Sequence, residues 1–443
     1  MLAFLFTGLY KLMNTLSELQ AGKLAGAKHL QLVEQLSEFP TDIFKLADTL
    51  EVLDLSNNNL SDLPDEFACL HRLKRVFLSF NQFKHIPTVL VKCPALIMVA
   101  FKGNKISEFA PNSLPKNIEW LILTDNNLHE LPDDFGNYTQ LKKLALAGNN
   151  LKNLPASMAN CTNLELVRLS ANNLIKLDDW LLELPKLAWL AFAGNNFNKA
   201  QCLTKSTLKN TPLENFQLKK VIGQGASGVI HLAKTEHNNV AVKLFKGAIT
   251  SDGYPLDEVN CCLQAGYHKN LINVLSYIEQ SEQLGLVMEL IDSNYTNLGL
   301  PPSLETCTRD TFNDGCNYSI EAVYKIAKQM ANTLTHLHTN KVSHGDIYAH
   351  NTMINEHYDV LFGDFGAATN LVMLSEYQQQ QIQLIEVRAF GCLIEDLLST
   401  VSAADKQNDL FDKMSDIAAR ATNSVIASRP SFKALNVLLN ELV

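Results

Sequence analysis

Leucines and other apolar residues recur through the first half of the chain in one register, L-x-x-L-x-L-x-x-N-x-L-x-x-L-P, from about residue 27 to 200. The polar position that marks the register is asparagine at 58, 81, 104, 126, 149, 172 and 195, at spacings of 23, 23, 22, 23, 23 and 23 residues. A fixed period of this length is the mark of a stacked array, in which one unit cannot bury its apolar side alone and neighbours complete its core. Each unit is expected to contribute a short strand such as Leu144-Ala145-Leu146, followed by a turn where the asparagine amide satisfies backbone groups. Pro64, Pro87, Pro132 and Pro155 stand where each return segment begins, and fix φ there without removing a sheet hydrogen bond. Leu36-Ser37-Glu38-Phe39-Pro40 reads as an irregular half-unit capping the start.

After residue 200 the period is lost, and the polar stretch 201–214 reads as a short linker. The pattern then changes to two-residue alternation. Val229-Ile230-His231-Leu232-Ala233 and Val240-Ala241-Val242-Lys243 read as strands, joined by a turn at His237-Asn238-Asn239. Residues 284–291 read as a buried strand, and apolar spacing through Ile326, Met330, Leu334 and Leu337 predicts a helix over 321–340. Before the first of these strands lies Gly223-Gln224-Gly225-Ala226-Ser227-Gly228. Glycines that lead into a strand rather than a helix argue against a dinucleotide-binding turn.

Composition narrows the classes. Over 443 residues, 47% are hydrophobic and 19% charged, as in a globular protein of two or three domains. The net charge of −9 offers no basic footprint, so neither nucleic acid nor a membrane surface is an expected partner. Nine cysteines without a C-x-x-C pair suggest free thiols in the cytoplasm. The apolar start, residues 1–10, is about half of the roughly 20 residues a membrane span needs, and Met13 is an alternative start to Met1.

The chemistry-bearing residues fall in a fixed order: the glycine turn, Lys243, Glu258, then His344-Gly345-Asp346-Ile347-Tyr348-Ala349-His350-Asn351 and Asp364-Phe365-Gly366. Together they resemble the protein kinase family over residues 215–443. The periodic half resembles leucine-rich repeats, and the whole chain is similar to leucine-rich-repeat protein kinases found as compact, soluble proteins, particularly in bacteria. The resemblance implies an α/β leucine-rich-repeat solenoid, or horseshoe, followed by an α+β two-lobed protein-kinase-like domain. Its domains are an N-terminal extension or cap (1–26), repeats (27–200), linker (201–214) and kinase domain (215–443).

The same resemblance implies ATP and Mg2+ as cofactors and protein hydroxyl groups, of the Ser/Thr class, as acceptors. Asp346 would take the hydroxyl proton, with Lys243 and its partner Glu258 also catalytic. Asp257 is the other candidate for that partner. Asn351 and Asp364 would hold metal. Ile222, Gly223, Gly225, Gly228, Ile230, Ala241, Lys243, Glu289 and Ile291 would surround the nucleotide, with Met288 screening the back of its pocket. The repeats would act as a recognition arm through a concave face carrying Met98, Trp120, Ile122 and Trp189.

Three features depart from the family pattern. Gly345 replaces the usual arginine before the catalytic aspartate, so switching by a phosphorylated loop is not expected. Tyr348 takes the place of a lysine, for which His350 is a candidate substitute. Nineteen residues separate Gly366 from Glu386, which reads as the start of a large helix, and no Ala-Pro-Glu lies between them. Arg429 resembles the arginine that pairs with that missing glutamate. These departures keep open a different class, a nucleotide-binding interaction scaffold with little phosphate transfer. A small-molecule kinase is a third reading, but it leaves the repeats without a role.

Overall fold

A computed structural model describes residues 14–199, 208–225, 227–247, 249–250, 252–280 and 283–442. The candidate starts at Met1 and Met13 and the first half of the linker lie outside the described residues. The chain divides into two compact units, with the break between Leu184 and Pro185.

In the repeat unit seven three-residue strands form a parallel sheet in chain order: β1 (His29–Gln31), β2 (Val52–Asp54), β3 (Arg75–Phe77), β4 (Met98–Ala100), β5 (Trp120–Ile122), β6 (Lys143–Ala145) and β7 (Leu166–Arg168). Register is unbroken, with Leu53 opposite Val76, Val76 opposite Val99 and so on to Leu144 opposite Val167. Strands β2 to β7 begin and end at the repeat positions read as lining the concave face. The asparagines work as their chemistry requires. Asn126 Nδ2 donates to the carbonyls of Phe101 at 2.9 Å and Leu123 at 3.1 Å, while its Oδ1 accepts from Ile106 N–H at 2.9 Å. One amide therefore ties two successive repeats, and the ladder is shared, since the Phe101 carbonyl also accepts from Asn104 at 3.0 Å and that of Leu123 from Asn149 at 2.9 Å.

Pro40, Pro64, Pro87 and Pro155 precede short 3-10 turns on the return side. The cap differs from the sequence expectation. Residues 36–40 lead into a turn like the others, and the array starts earlier, with β1 and helix α1 (Leu16–Gln20), whose Thr15 and Glu18 form a capping box.

The second unit opens with a strand of the same period, β8 (Trp189–Ala191), which follows the short helix α2 (Asp179–Leu182) of the first. Periodicity and compactness thus divide the chain at different places. A five-stranded antiparallel sheet follows, in the order β12-β13-β11-β10-β9, from β9 (Gln217–Gln224), β10 (Gly228–Lys234), β11 (Asn239–Phe245), β12 (Val274–Gln280) and β13 (Gln283–Glu289). Alternation along β11 sorts its residues between two faces. Val240 and Val242 join Phe216, Ala233, Ile278 and Val287 on one face, while Phe245 packs with Val259, Leu263 and Leu286 beside helix α3 (Pro255–Ala265).

The larger lobe is helical: α4 (Ile320–Thr339), α5 (Glu376–Ser399), α6 (Asp409–Ala421) and α7 (Phe432–Asn440), with α5 packed on α4 and α6, and α7 on α4. Helix α5 starts ten residues before Glu386, because Ser375 caps it and Gln378 completes a capping box. Glu386 therefore lies inside the helix rather than at its start. Short strands pin the loops between the lobes. A strand at Thr296–Asn297 (β14) joins the hairpin β16 (Thr352–Ile354) and β17 (Val360–Phe362), while β15 (Val342–Ser343) pairs with β18 (Thr369–Asn370). No helix among the described residues is long and apolar enough to cross a membrane, and no disulfide links the eight described cysteines.

Candidate active site

Between the sheet and the helical lobe lies a cleft of about 770 Å³, within the range of roughly 300–1,000 Å³ usual for small-molecule sites. Ile222, Gly225, Gly228, Ile230, Ala241, Lys243, Glu258, Glu289, Ile291, Asp346, Asn351 and Asp364 all line it. Gly223 does not. It sits within β9 opposite Ile230, one step back from the opening. The glycine turn closes through Gly225 N–H to the Gly228 carbonyl at 3.0 Å. Gly228 has no room for a side chain, since a Cβ would lie 2.5 Å from the Leu244 carbonyl oxygen, whereas a Cβ on Gly225 would meet nothing within 4 Å.

Lys243 and Glu258 form a buried ion pair, which decides between the two candidate partners in favour of Glu258. Asp257, one position earlier in α3, is buried as well. Only 8% of Lys243 and 4% of Glu258 is exposed. Burial opposes the ammonium charge, but the carboxylates of Glu258 and Asp364 outweigh it and hold Lys243 above its usual pKa. The same field acts on Asp364. Burial alone would raise its pKa, yet Lys243, His344 and the Gly366 N–H bring it below the ordinary value. Asp364 adopts φ 61°, ψ 75°, a left-handed conformation that turns the chain at the cleft floor.

The loop after β15 is held by polar contacts from several elements. Asn351 Nδ2 donates to Asp346 Oδ2 at 2.8 Å and to its carbonyl at 3.0 Å, which leaves the side-chain oxygen Oδ1 of Asn351 for another partner. Asn351 ends one short turn and Asp364 follows β17, so the β16–β17 hairpin brings the two together. His344 is fully buried against Phe362 and Phe365, with ring nitrogen Nε2 3.0 Å from the Gly363 carbonyl, and burial lowers its pKa. Glu386 reaches back from α5, accepting from Gly345 N–H at 2.6 Å and lying 2.6 Å from His338 Nε2. Burial pushes its pKa up, but these donors more than compensate and leave it below normal.

Tyr348 does not reach the cleft. It is 1% exposed and enclosed between the rings of Trp189 and His350. His350 does line the cleft, with Nδ1 2.7 Å from Asp310 Oδ1, and Asp310 also accepts from Ala349 N–H. Sequence reasoning missed Asp310 and Asp252, the latter lining the cleft near Gly366. Neither belongs to a recognisable motif, because each meets its partners through loops far away in the chain. Met288 lines the cleft at the end of β13, where the sequence placed it. Met98, Trp120 and Ile122 are buried, and Lys143 Nζ lies 4.2 Å from the Trp120 ring centroid.

Comparison with known proteins agrees with this geometry. Residues 216–384 match the protein kinase domain family and residues 29–83 the leucine rich repeat family. Among curated proteins, the chain is 26% identical over 235 residues to serine/threonine-protein kinase PITSLRE of Drosophila melanogaster, covering 46% of this chain and 23% of that protein. It is 24% identical over 201 residues to the CTD kinase subunit alpha of Schizosaccharomyces pombe, covering 40% and 32%. Over 177 residues it is 25% identical to fibroblast growth factor receptor 1 of Xenopus laevis, covering 37% and 22%. The matches thus span about a quarter to a third of these relatives' own length. The chain joins a leucine-rich-repeat region to a protein kinase domain, the architecture of the leucine-rich-repeat protein kinases.

Proposed function

We propose that the chain is an ATP-dependent protein kinase that transfers the γ-phosphate to Ser or Thr hydroxyl groups, with the repeats as its protein-recognition arm. The observation that carries this reading is the closed Lys243–Glu258 pair in the same cleft as Asp346, Asn351 and Asp364. Phosphoryl transfer needs positioned charge more than covalent chemistry, and this set supplies it.

The residues fit the nucleotide and the metal. Gly225 leaves open space beside the strands for phosphates, and the charged Lys243 would hold the α- and β-phosphates. Asp364 and the Asn351 side-chain Oδ1 are hard oxygen donors of the kind Mg2+ prefers. Two protein donors leave the remaining positions to phosphate and water, so metal and nucleotide would bind together. When bound, the metal would supply charge neutralisation for the phosphates. Asp346, oriented by Asn351, accepts the proton of the incoming hydroxyl.

The relatives named serine/threonine kinases support the Ser/Thr assignment. A cytoplasmic setting belongs to the same reading, supported by eight described cysteines with no disulfide between them. The recognition role rests on the repeat region alone, because Met98, Trp120 and Ile122, expected on an open concave face, are only 2–3% exposed and offer a partner little surface. Trp189 is engaged inside the kinase unit instead.

A nucleotide-binding scaffold is favoured by the enclosed Tyr348 and by the short stretch from Gly366 to the α5 cap. One assay separates the two readings. Purified protein is incubated with Mg-ATP and a generic basic protein, and acceptor residues are identified by mass spectrometry. Phosphoserine or phosphothreonine that disappears in Asp346→Asn is expected. Nucleotide-dependent thermal stabilisation without any incorporation would establish the scaffold instead.

A further inference from the structure

The segment from Pro185 to Lys199 carries the repeat period but belongs to the kinase unit, and its contacts there are specific. The Trp189 ring stacks on Tyr348, centroids 4.7 Å apart and planes within 2°, and Trp189 Nε1 donates to the Ile347 carbonyl at 3.0 Å. Phe192 N–H reaches Thr369 Oγ1 in β18 at 3.5 Å. Arg388 of α5 donates to the Lys186 carbonyl at 3.0 Å. Arg429 donates to the carbonyls of Pro185, Leu384 and Asn423. Lys199 lies over the ring of Tyr254, the residue that caps α3. A single segment thus touches the catalytic loop, the strand after Asp364, α5 and the helix that carries Glu258.

Two absences in the sequence acquire a physical cause. Gly345 adopts φ +71°, and a Cβ there would stand 2.8 Å from the Leu190 carbonyl oxygen and 2.6 Å from that of Ala367. The neighbouring segment therefore excludes an arginine at this position. Arg429, which resembles an arginine expected to pair with a glutamate, spends its donors on three carbonyls, one of them Pro185. Burial and the nearby Arg388 lower its pKa to about 10, so it is charged at neutral pH.

We propose that this terminal repeat segment substitutes for the activation segment, holding the catalytic loop in its working geometry, with Trp189 as the positioning residue. The stack runs from Trp189 through Tyr348 to His350, whose other side is fixed by Asp310. The loop is then set by packing, with no phosphorylation step needed to order it. The proposal rests on the kinase reading for its rate consequence alone.

The test measures amide hydrogen exchange over residues 344–351, together with kcat and the KM for ATP, in the wild-type protein, Trp189→Ala and Trp189→Phe. In Trp189→Ala, catalytic-loop exchange is expected to accelerate about ten-fold or more while the five-stranded sheet stays protected. The kcat should fall about ten- to hundred-fold with the KM for ATP nearly unchanged. Trp189→Phe, which keeps an aromatic face, should retain most of the protection and rate. Unchanged loop exchange in Trp189→Ala would overturn the proposal. If Trp189→Ala loosens the whole unit, Trp189→Phe decides: retained loop protection and rate support the stack, and loop exchange or kcat changed about ten-fold despite the aromatic face overturns it. A wild-type protein that transfers no phosphate would defeat the kinase reading, while the exchange arms would still decide the positioning role.

Discussion

On the nucleotide side of the cleft, the key groups sit where local pattern places them. Lys243 lies near the end of a strand, the glycines turn between two strands, and Glu258 lies one turn into a helix. On the opposite side the catalytic loop has lost its arginine and lysine, the stretch before α5 is short, and support comes from Trp189, Glu386, Asp310 and Arg429. The first side needs a fixed charge arrangement for one chemical group, so few residue types satisfy it. The second needs only that a loop be held still, and packing from any direction achieves that. Constraint by charge leaves motifs, and constraint by packing leaves few.

Variants on each side sharpen the contrast. Lys243→Met should abolish detectable transfer and destabilise the kinase unit by about 3 kcal/mol or more, because it strands Glu258 in a buried site. The double variant Lys243→Met/Glu258→Leu should recover most of that stability in denaturant titration and none of the transfer, which separates folding from chemistry.

Arg429→Met removes charged donors from three buried carbonyls, and a loss of about 2–3 kcal/mol is expected from urea unfolding. A stability change below about 0.5 kcal/mol would mean that this support is ornamental. In the repeat unit, Asn126→Ala leaves the Ile106 N–H without its partner, takes one of two asparagine donors from each of the Phe101 and Leu123 carbonyls, and should cost about 2 kcal/mol. The smallest effect belongs to Glu386→Gln, about 1 kcal/mol at neutral pH. Its signature is pH dependence. The folded-state pKa of Glu386 lies below its ordinary 4.5, so its contribution is complete above that value and is lost as pH falls through the depressed one. Stability measured between pH 6 and 3 should therefore drop more steeply in the wild-type protein than in Glu386→Gln.

How much of this was visible beforehand follows the same division. The asparagine period placed the repeat strands to within one residue, Leu144–Leu146 being expected and Lys143–Ala145 found, because one hydrogen-bonding role recurs at every turn. The ion pair, the glycine turn and helix α4 were legible from alternation and spacing. The start of α5 was missed although Ser375 and Gln378 spell a capping box, since attention to Glu386 outweighed the local signal. The place of Trp189 was not legible at all. It depends on a partner 159 positions later in the chain, Tyr348, and nothing local distinguishes it from the other strand positions of the repeats.

The central claim is that the cleft binds nucleotide with one set of groups and transfers phosphate with another. It is tested most directly by measuring ATP affinity and phosphate transfer together in Asp346→Asn. The account predicts a Kd for Mg-ATP within about three-fold of the wild-type value and a fall in transfer of about 10²-fold or more. Transfer that survives this substitution, or wild-type protein that binds Mg-ATP without ever transferring its phosphate, would contradict it.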